Sequence, residues 1–542
     1  MRPFLMGSET EYAVSGRNGR GPVSAEHVYE RLNEAVRQER RWLPDVAGGR
    51  AIYLEHGGRF YLDCGGHPEY ATPECFTPAQ VACYDKAGEH ILELARARLR
   101  HAHPDIKITI AKNNIPAIAS QRVTWGSHES YTCWVPLMCA APQLVPHLVS
   151  RTIYSGAGCL SDNPQGPGFE LSQRAAHLVQ VTGAATMSDR AIFCTRIRKA
   201  ADSSPKDGWI RVHLIARDSQ RASFGTYLTF GATGLLFVLI NESRMVGQGL
   251  ALADPVQALH AISLDPWLRV RVPLADGRRL TALEIQESYL AECARAVQAG
   301  GLPEWAPEVI RHWDETLTAL ARDPLRMAGK LDPYCKLLIY DHELRRAGYG
   351  WSDLQQALKV LGGLHERHRN EVIRAVLAAD PRSLPAGTQS QYAEAVAAAD
   401  SRRPGVLDRL RFAGRLQALD LHYHELGGLH DELAASGHVK EAVSPADIEQ
   451  ASREPPAGGR AAVRGACVKS SREGGWVCDW RYLYHAPTGA LVDLRNPFAT
   501  EGQPRHRDSL EEEDRLDAEL LQIFSQRDEA RVARPFGGFT HT

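Results

Sequence analysis

Residues 51 to 75 run AIYLEHGGRFYLDCGGHPEYATPEC. Two short β-type runs flank His56-Gly57-Gly58, which predicts a β-hairpin over 51–63. Alternate side chains on a strand point the same way, about 7 Å apart, so Arg59, Tyr61 and Asp63 line one face of its second strand. Glu69 follows across Gly65-Gly66, a turn that lets the chain come close to a ligand. A guanidinium, a phenol and two carboxylates on one face make a poor core. They make a workable site for nucleotide phosphate, a hard cation and proton transfer. Taken alone, the same pattern also describes a solvated strand face carrying a surface ion pair.

The pattern repeats outward from this block. Glu9-Thr10-Glu11-Tyr12 is strand-like and puts two carboxylates on one face, where a cation offsets their mutual repulsion. Arg211-Val212-His213 places a cation and an imidazole on one face of an otherwise apolar strand. His128, in Trp125-Gly126-Ser127-His128-Glu129-Ser130-Tyr131, is a further candidate. For His128 and His213 the plainer reading is a hydrogen-bonded core histidine. There is no G-x-x-x-x-G-K-[ST], no G-x-G-x-x-G opening a helix, no H-E-x-x-H and no G-x-S-x-G in the chain. Any phosphate binding must therefore use an open sheet with arginines and metal ions.

Further β-like stretches are 106–111, 191–195, 209–216 and 235–241, and helical periodicity marks 78–100 and 281–299. Strands concentrated in the first half predict a sheet-based α/β (α+β) core. From about 304 to 440 the sequence is mostly helical, with breaks at Pro324, at Gly348-Tyr349-Gly350, at Gly362-Gly363 and over 381–387. A linker-like patch, Glu454-Pro455-Pro456-Ala457-Gly458-Gly459, opens a more β-like segment to about 498. The expected division is a catalytic body over 1–440, a small C-terminal domain over 441–502 and a charged tail over 503–542 with an amphipathic helix at 508–530.

Across 542 residues, 63 Lys and Arg nearly balance 65 Asp and Glu. No strong overall field points to nucleic acid or an anionic membrane. The N-terminal MRPFLMGSE lacks the apolar core of a signal peptide, and no run reaches the roughly 20 apolar residues that span a bilayer. The expectation is a soluble, cytoplasmic protein. Eleven cysteines, with no C-x-x-C pair, are expected as free thiols, mostly buried.

The strings MGSETEYAVSG (6–16), GGRFYLDCGGHPEYATPEC (57–75), KNN (112–114), GSHESY (126–131), LSQRA (171–175), RVHL (211–214), LDLHYHE (419–425), RAAVRG (460–465) and VCDW (477–480) occur in the order found in the Pup ligase and depupylase family. The resemblance covers roughly 1–300 and 415–500. It implies a glutamine-synthetase-like curved antiparallel sheet that cradles ATP and Mg²⁺, with a small C-terminal domain alongside. It implies that Glu9, Tyr61 and Glu69 bind magnesium, with His128 and His213 as further metal or phosphate-side ligands. Arg59, Thr72, Arg211 and Trp480 would contact ATP, Arg211 would offset charge in the transfer, and Asp63 would be the general base.

The implied partners are a small Pup-like modifier protein and lysine-bearing acceptors. The implied reaction is ATP-dependent isopeptide formation through an acyl phosphate. The YLDCGGHPEYAT block reads closer to the ligases, and the short connection before Arg59 leaves no room for the long loop that precedes this strand in depupylases. A depupylase or deamidase, a small-molecule γ-glutamyl ligase and a non-catalytic scaffold are the competing readings. Departures from the family fall at 197–202, where acid becomes base, and at Ser223 and Thr229. They bear on modifier and acceptor recognition. The stretch 356–410 has no clear family counterpart and reads as a helical insertion.

Overall fold

A computed structural model describes residues 1–46, 50–116, 123–161, 163, 166–186, 188–197, 203–204, 208–362, 406–471, 475–485 and 487–506. Its centre is an eight-stranded sheet, and every strand pairing within it is antiparallel. The strands are β1 (Met6–Glu11), β2 (Trp42–Pro44), β3 (Ile52–Leu54), β4 (Arg59–Leu62), β5 (Pro68–Ala71), β6 (Ser127–Cys133), β7 (Ser203–Ser204) and β8 (Trp209–Arg217). Their spatial order is β7-β8-β6-β1-β5-β4-β3-β2, an open sheet. The expected hairpin is β3 and β4, with Ile52 opposite Phe60 and Tyr53 opposite Arg59.

One face of this sheet is covered by two helices. Helix α1 (Pro78–Ala102) starts where Thr77 caps the Gln80 amide and Pro78 supplies a preset φ. It lies on the side of Phe60 and Tyr70, and Thr10 on β1 donates to Asp85 on the helix. Helix α2 (Ser223–Asn241) packs under β6, where Tyr131 meets Phe230 and Phe237 at ring-centroid distances of 5.6 and 4.8 Å. The expected helix near 281–299 spans Ala282–Gln298 and opens with a reciprocal capping box between Thr281 and Glu284.

The strand expected over 235–241 is instead the last part of α2. All 19 residues of this helix are buried, so its sequence carries no polar face and no 3.6-residue alternation. An apolar run rich in β-branched and aromatic residues is then indistinguishable from a buried strand by pattern. α2 is also the one described helix long and apolar enough to cross a membrane, but it is enclosed entirely by protein.

The segment after the linker-like patch begins with a helix, α3 (Gly459–Ser470), and only then turns to strands. These are β9 (Trp476–Cys478), β10 (Tyr482–His485), β11 (Ala490–Asp493) and β12 (Gln503–His506), which form a separate four-stranded antiparallel sheet. β12 carries this sheet past the expected boundary at 502. Val46 donates to the Cys478 carbonyl at 3.1 Å, which ties the small sheet to the end of β2. All eleven cysteines are free, seven of them buried. The 508–530 helix, residues 198–202 and most of the 356–410 stretch lie outside the described residues.

Candidate active site on the open face of the sheet

Register, more than any single strand, assembles the site. Glu9 sits opposite His128 on one side and Ala71 on the other, and Glu11 sits opposite Glu69. Glu69 in turn faces Tyr61, and Arg59 faces Ala71. On the far side His213 pairs with Ser130 and Arg211 with Thr132. In antiparallel strands directly opposed residues share a face. Glu9, Glu11, Glu69, Tyr61, Arg59, His128, Arg211 and His213 therefore all project from the face that α1 and α2 leave uncovered.

Glu9 lies at the centre. Its Oε2 is 3.6 Å from His128 Nδ1 and 3.5 Å from His213 Nε2, and its Oε1 accepts from Arg211 Nη2. Arg211 Nε is fixed by a hydrogen bond to Ser130 Oγ at 3.0 Å. His128 Nδ1 is also 3.9 Å from Glu69 Oε1, and its Nε2 is 3.8 Å from Glu11 Oε1. Among the described residues the buried ring nitrogens His128 Nδ1 and His213 Nε2 have no hydrogen-bond partner. Oxygen and nitrogen donors gathered 3.5–3.9 Å from one another, longer than good hydrogen bonds, leave lone pairs that a cation could share.

The electrostatics agree. Burial would raise the Glu9 carboxyl, but Arg211 and His213 hold it well below the usual carboxylate range. Glu69 goes the other way, raised well above that range by burial and by the charges of Glu9 and Glu11. Burial, Glu69 and Glu9 push the Tyr61 phenol up, and burial lowers His128. Three carboxylates in one row are stable together only when protonated or when joined by a positive ion. Glu9, Glu69, His128 and His213, with Tyr61 alongside, fit a divalent ion.

Asp63 follows β4 directly and accepts the His67 backbone N–H at 2.6 Å. Arg59 makes an ion pair with buried Asp45 at 2.7 Å, and its guanidinium lies 4.1 Å from the centroid of the Tyr61 ring. Beside Glu9 a cleft opens between the sheet and the C-terminal segment. Its wall includes Thr72, Arg211 and Trp480, three of the four residues expected to contact ATP, while Arg59 stands apart from that wall. Trp480 meets Tyr53 edge-on at 5.3 Å, and the Arg464 guanidinium lies 4.6 Å from the Trp480 ring.

The sequence reading missed Trp209, Glu74 and Arg460 on the cleft wall, and Asp45 behind Arg59. Arg460 stands inside RAAVRG, so composition placed it near the site without giving it a role. Asp45 directly follows the short strand β2, between Pro44 and Val46, with no adjacent polar residue to flag it. Its pairing is purely tertiary.

The chain matches the Pup-ligase protein family model over residues 4–405 and 402–484. The chain belongs to that family. A Pup--protein ligase from Acidimicrobium ferrooxidans is 32% identical over 515 residues, covering 92% of this chain and 96% of the relative. A Pup deamidase/depupylase from Mycobacterium tuberculosis is also 32% identical, over 435 residues, covering 78% of this chain and 73% of the relative. Among solved structures, the complex of Pup with its ligase PafA aligns over 98% of this chain and 93% of that one, with TM-score 0.70 and 21% identity. PafA with ADP aligns over 88% and 91%, with TM-score 0.64 and 24% identity. Both confirm the expected fold class of this family member.

Proposed function

We propose that this Pup-ligase family member is an ATP-dependent ligase, joining the side-chain carboxylate of the C-terminal glutamate of a Pup-like modifier to a substrate lysine. The observation that carries the reading is the single sheet face on which Glu9, Tyr61, Glu69, His128 and His213 converge, with Asp63 at its end and the Trp480 cleft beside it. The match to a relative named a ligase, over 92% of this chain and 96% of that relative, supports the direction of the reaction. So does the four-residue connection between β3 and β4, closed by a Leu54 to Gly58 hydrogen bond of 2.9 Å.

In this reading Thr72 and Trp480 hold the nucleotide in the cleft, and Arg59, braced by Asp45, contacts it from β4. Glu9, Tyr61, Glu69, His128 and His213 hold magnesium, which when bound neutralises phosphate charge and aligns the γ-phosphoryl group. Arg211 offsets the charge that develops as the phosphoryl group passes to the modifier carboxylate, releasing ADP. The lysine ammonium gives a proton to Asp63, the amine attacks the acyl carbon, and the carbon–oxygen bond to phosphate breaks. The protein acts in the cytoplasm. We further divide it into a catalytic body over 1–440 and a small domain that starts at 441 and, with β12, runs past 502 to 506, a division supported by the separate four-stranded sheet.

Purified protein with ATP, Mg²⁺ and lysine, offered a modifier peptide ending in Glu or in Gln, tests the assignment. ADP formed in step with a Glu-peptide adduct is the expected result. Ammonia from the Gln peptide without ATP consumption would establish the depupylase reading, which the similarity to the M. tuberculosis relative keeps in view.

A further inference from the structure

The row of side chains that β8 turns to the open face continues beyond the charged group. His213, Arg211 and Trp209 are two residues apart along the strand, so they stand in line at steps of about 7 Å. Arg211 and Trp209 both line the cleft beside Glu9, which gives that cleft a charged end and an aromatic end. At the aromatic end a ring from the C-terminal segment meets the main sheet. Phe498 contacts Trp209 edge-on at 6.4 Å and lies nearly parallel to Trp134 at 6.2 Å, with 23° between the ring planes.

Both sides of this contact are held in place. Trp134 directly follows β6, its backbone N–H donates to Asn241 Oδ1 at the end of α2 at 2.8 Å, and its indole N–H donates to the Pro3 carbonyl at 3.0 Å. Phe498 is carried by the connection between β11 and β12, residues 494–502. Arg460 on α3 fixes that connection at two points, its backbone N–H donating to the Pro497 carbonyl at 3.1 Å and its Nη1 to the Leu494 carbonyl at 3.3 Å. Asn496 Oδ1 accepts the Phe498 N–H at 3.0 Å and shapes the turn that presents the ring. Pro497, next in the chain, lines the cleft itself.

We propose that Phe498, seated against Trp134 and Trp209, is a clasp that holds the C-terminal segment against the main sheet at the aromatic end of the cleft and sets how fast ADP leaves. This rests on the reading of the cleft as the nucleotide site and adds to it a means of controlling exchange. The main sheet contributes Thr72, Trp209 and Arg211 to the cleft wall, and the C-terminal segment contributes Arg460, Trp480 and Pro497. Nucleotide held by both is released when the two part. The clasp acts through these groups, because among the described residues neither Phe498 nor Trp134 belongs to the wall. Aromatic pairs at centroid separations of 4.5–7 Å change an equilibrium or rate constant roughly two- to tenfold.

The test is stopped-flow release of an N-methylanthraniloyl-labelled ADP from the Mg²⁺-loaded full chain, chased with excess ADP, with the affinity for unlabelled ADP measured by titration calorimetry. Phe498→Ala and Trp134→Ala should each speed release by about threefold or more, while Phe498→Tyr stays within about twofold of wild type. The double variant Phe498→Ala/Trp134→Ala should release no faster than the quicker single variant, since both remove one contact. The Mg²⁺ concentration needed for half-maximal ATP turnover should stay at its wild-type value, because the clasp lies at the end of the cleft away from Glu9. Unchanged release and affinity in both single variants would overturn the clasp and leave the nucleotide site standing. Fully multiplicative effects in the double variant, or faster release accompanied by a raised Mg²⁺ requirement, would overturn it too, the first by making the two rings independent and the second by making the damage general. A wild-type protein that binds no ADP would remove the nucleotide reading and the clasp with it.

Discussion

At the scale of single residues the decisive fact is that three carboxylates, Glu9, Glu11 and Glu69, stand side by side across two strands. Burial and its two acidic neighbours leave Glu69 raised well above the normal range, so in the metal-free protein it holds its proton where an ordinary glutamate would not. A group raised on folding favours the native state while protonated, and that advantage is lost as pH climbs from about 4.3 through the folded value. Mg²⁺ must displace this proton, so its binding should strengthen as pH rises. Thermal melts at pH 6 and pH 8.5, each with and without Mg²⁺ and free of nucleotide, should show the larger Mg²⁺-induced rise in Tm at pH 8.5. An equal shift at both would mean that Glu69 is not a ligand. Which residues share a face was legible from the period of two along each strand, as for Arg59 with Tyr61 and Arg211 with His213. Which strands lie side by side was not. Nothing in the sequence pairs Glu11 with Glu69 or Glu9 with His128, because register is set by packing on the opposite face.

That packing belongs to the elements. α1 was legible from its periodicity, while α2 was misread because a helix buried all round has no face to announce it. α1 lies close against the sheet at Gly88, where an added Cβ would stand 2.4 Å from the Tyr70 ring. Tyr70 is itself pinned by a 2.7 Å hydrogen bond between its hydroxyl and His56 Nε2, so it has little room to move. Alanine is the better helix former by about 1 kcal/mol. The clash should nevertheless dominate, and Gly88→Ala should destabilise the protein by roughly 1–3 kcal/mol through overpacking. Chemical denaturation measures this directly, and a stabilised variant would show that helix and sheet can separate at that point. Tyr70 is the neighbour of Glu69 on β5, so a displaced helix should also raise the Mg²⁺ concentration needed for activity.

Across the whole molecule, one acid clamps helix α3 of the C-terminal segment beside the main sheet. Glu74 accepts from Arg460 Nε and from Arg464 Nη2, each at 2.5 Å, and the two arginines lie one turn apart on α3. Arg464 also donates to the Gly57 carbonyl at 3.0 Å, in the hairpin that carries Arg59. Burial would raise the Glu74 carboxyl, but Arg464 and Arg460 bring it down to about 2. A depressed carboxylate contributes stability that is present above its unfolded value, about 4.3, and is lost as pH falls towards the folded one. The difference corresponds to on the order of 3 kcal/mol at neutral pH. Glu74→Gln removes that contribution and leaves two buried guanidinium groups without their counter-charge, a change that typically costs about 3–5 kcal/mol. The gap in unfolding free energy between wild type and variant should therefore be widest near pH 7 and narrow steadily below about pH 4, as the wild-type carboxylate itself becomes protonated. A gap that stays constant from pH 7 to pH 3 would mean that Glu74 acts by shape alone. Because Glu74, Arg460 and Trp480 share the cleft wall, the same variant should bind ADP more weakly at pH 7, where the clamp is fully charged. Isothermal titration separates the two effects, since a purely global loss of stability leaves the affinity of the folded fraction unchanged.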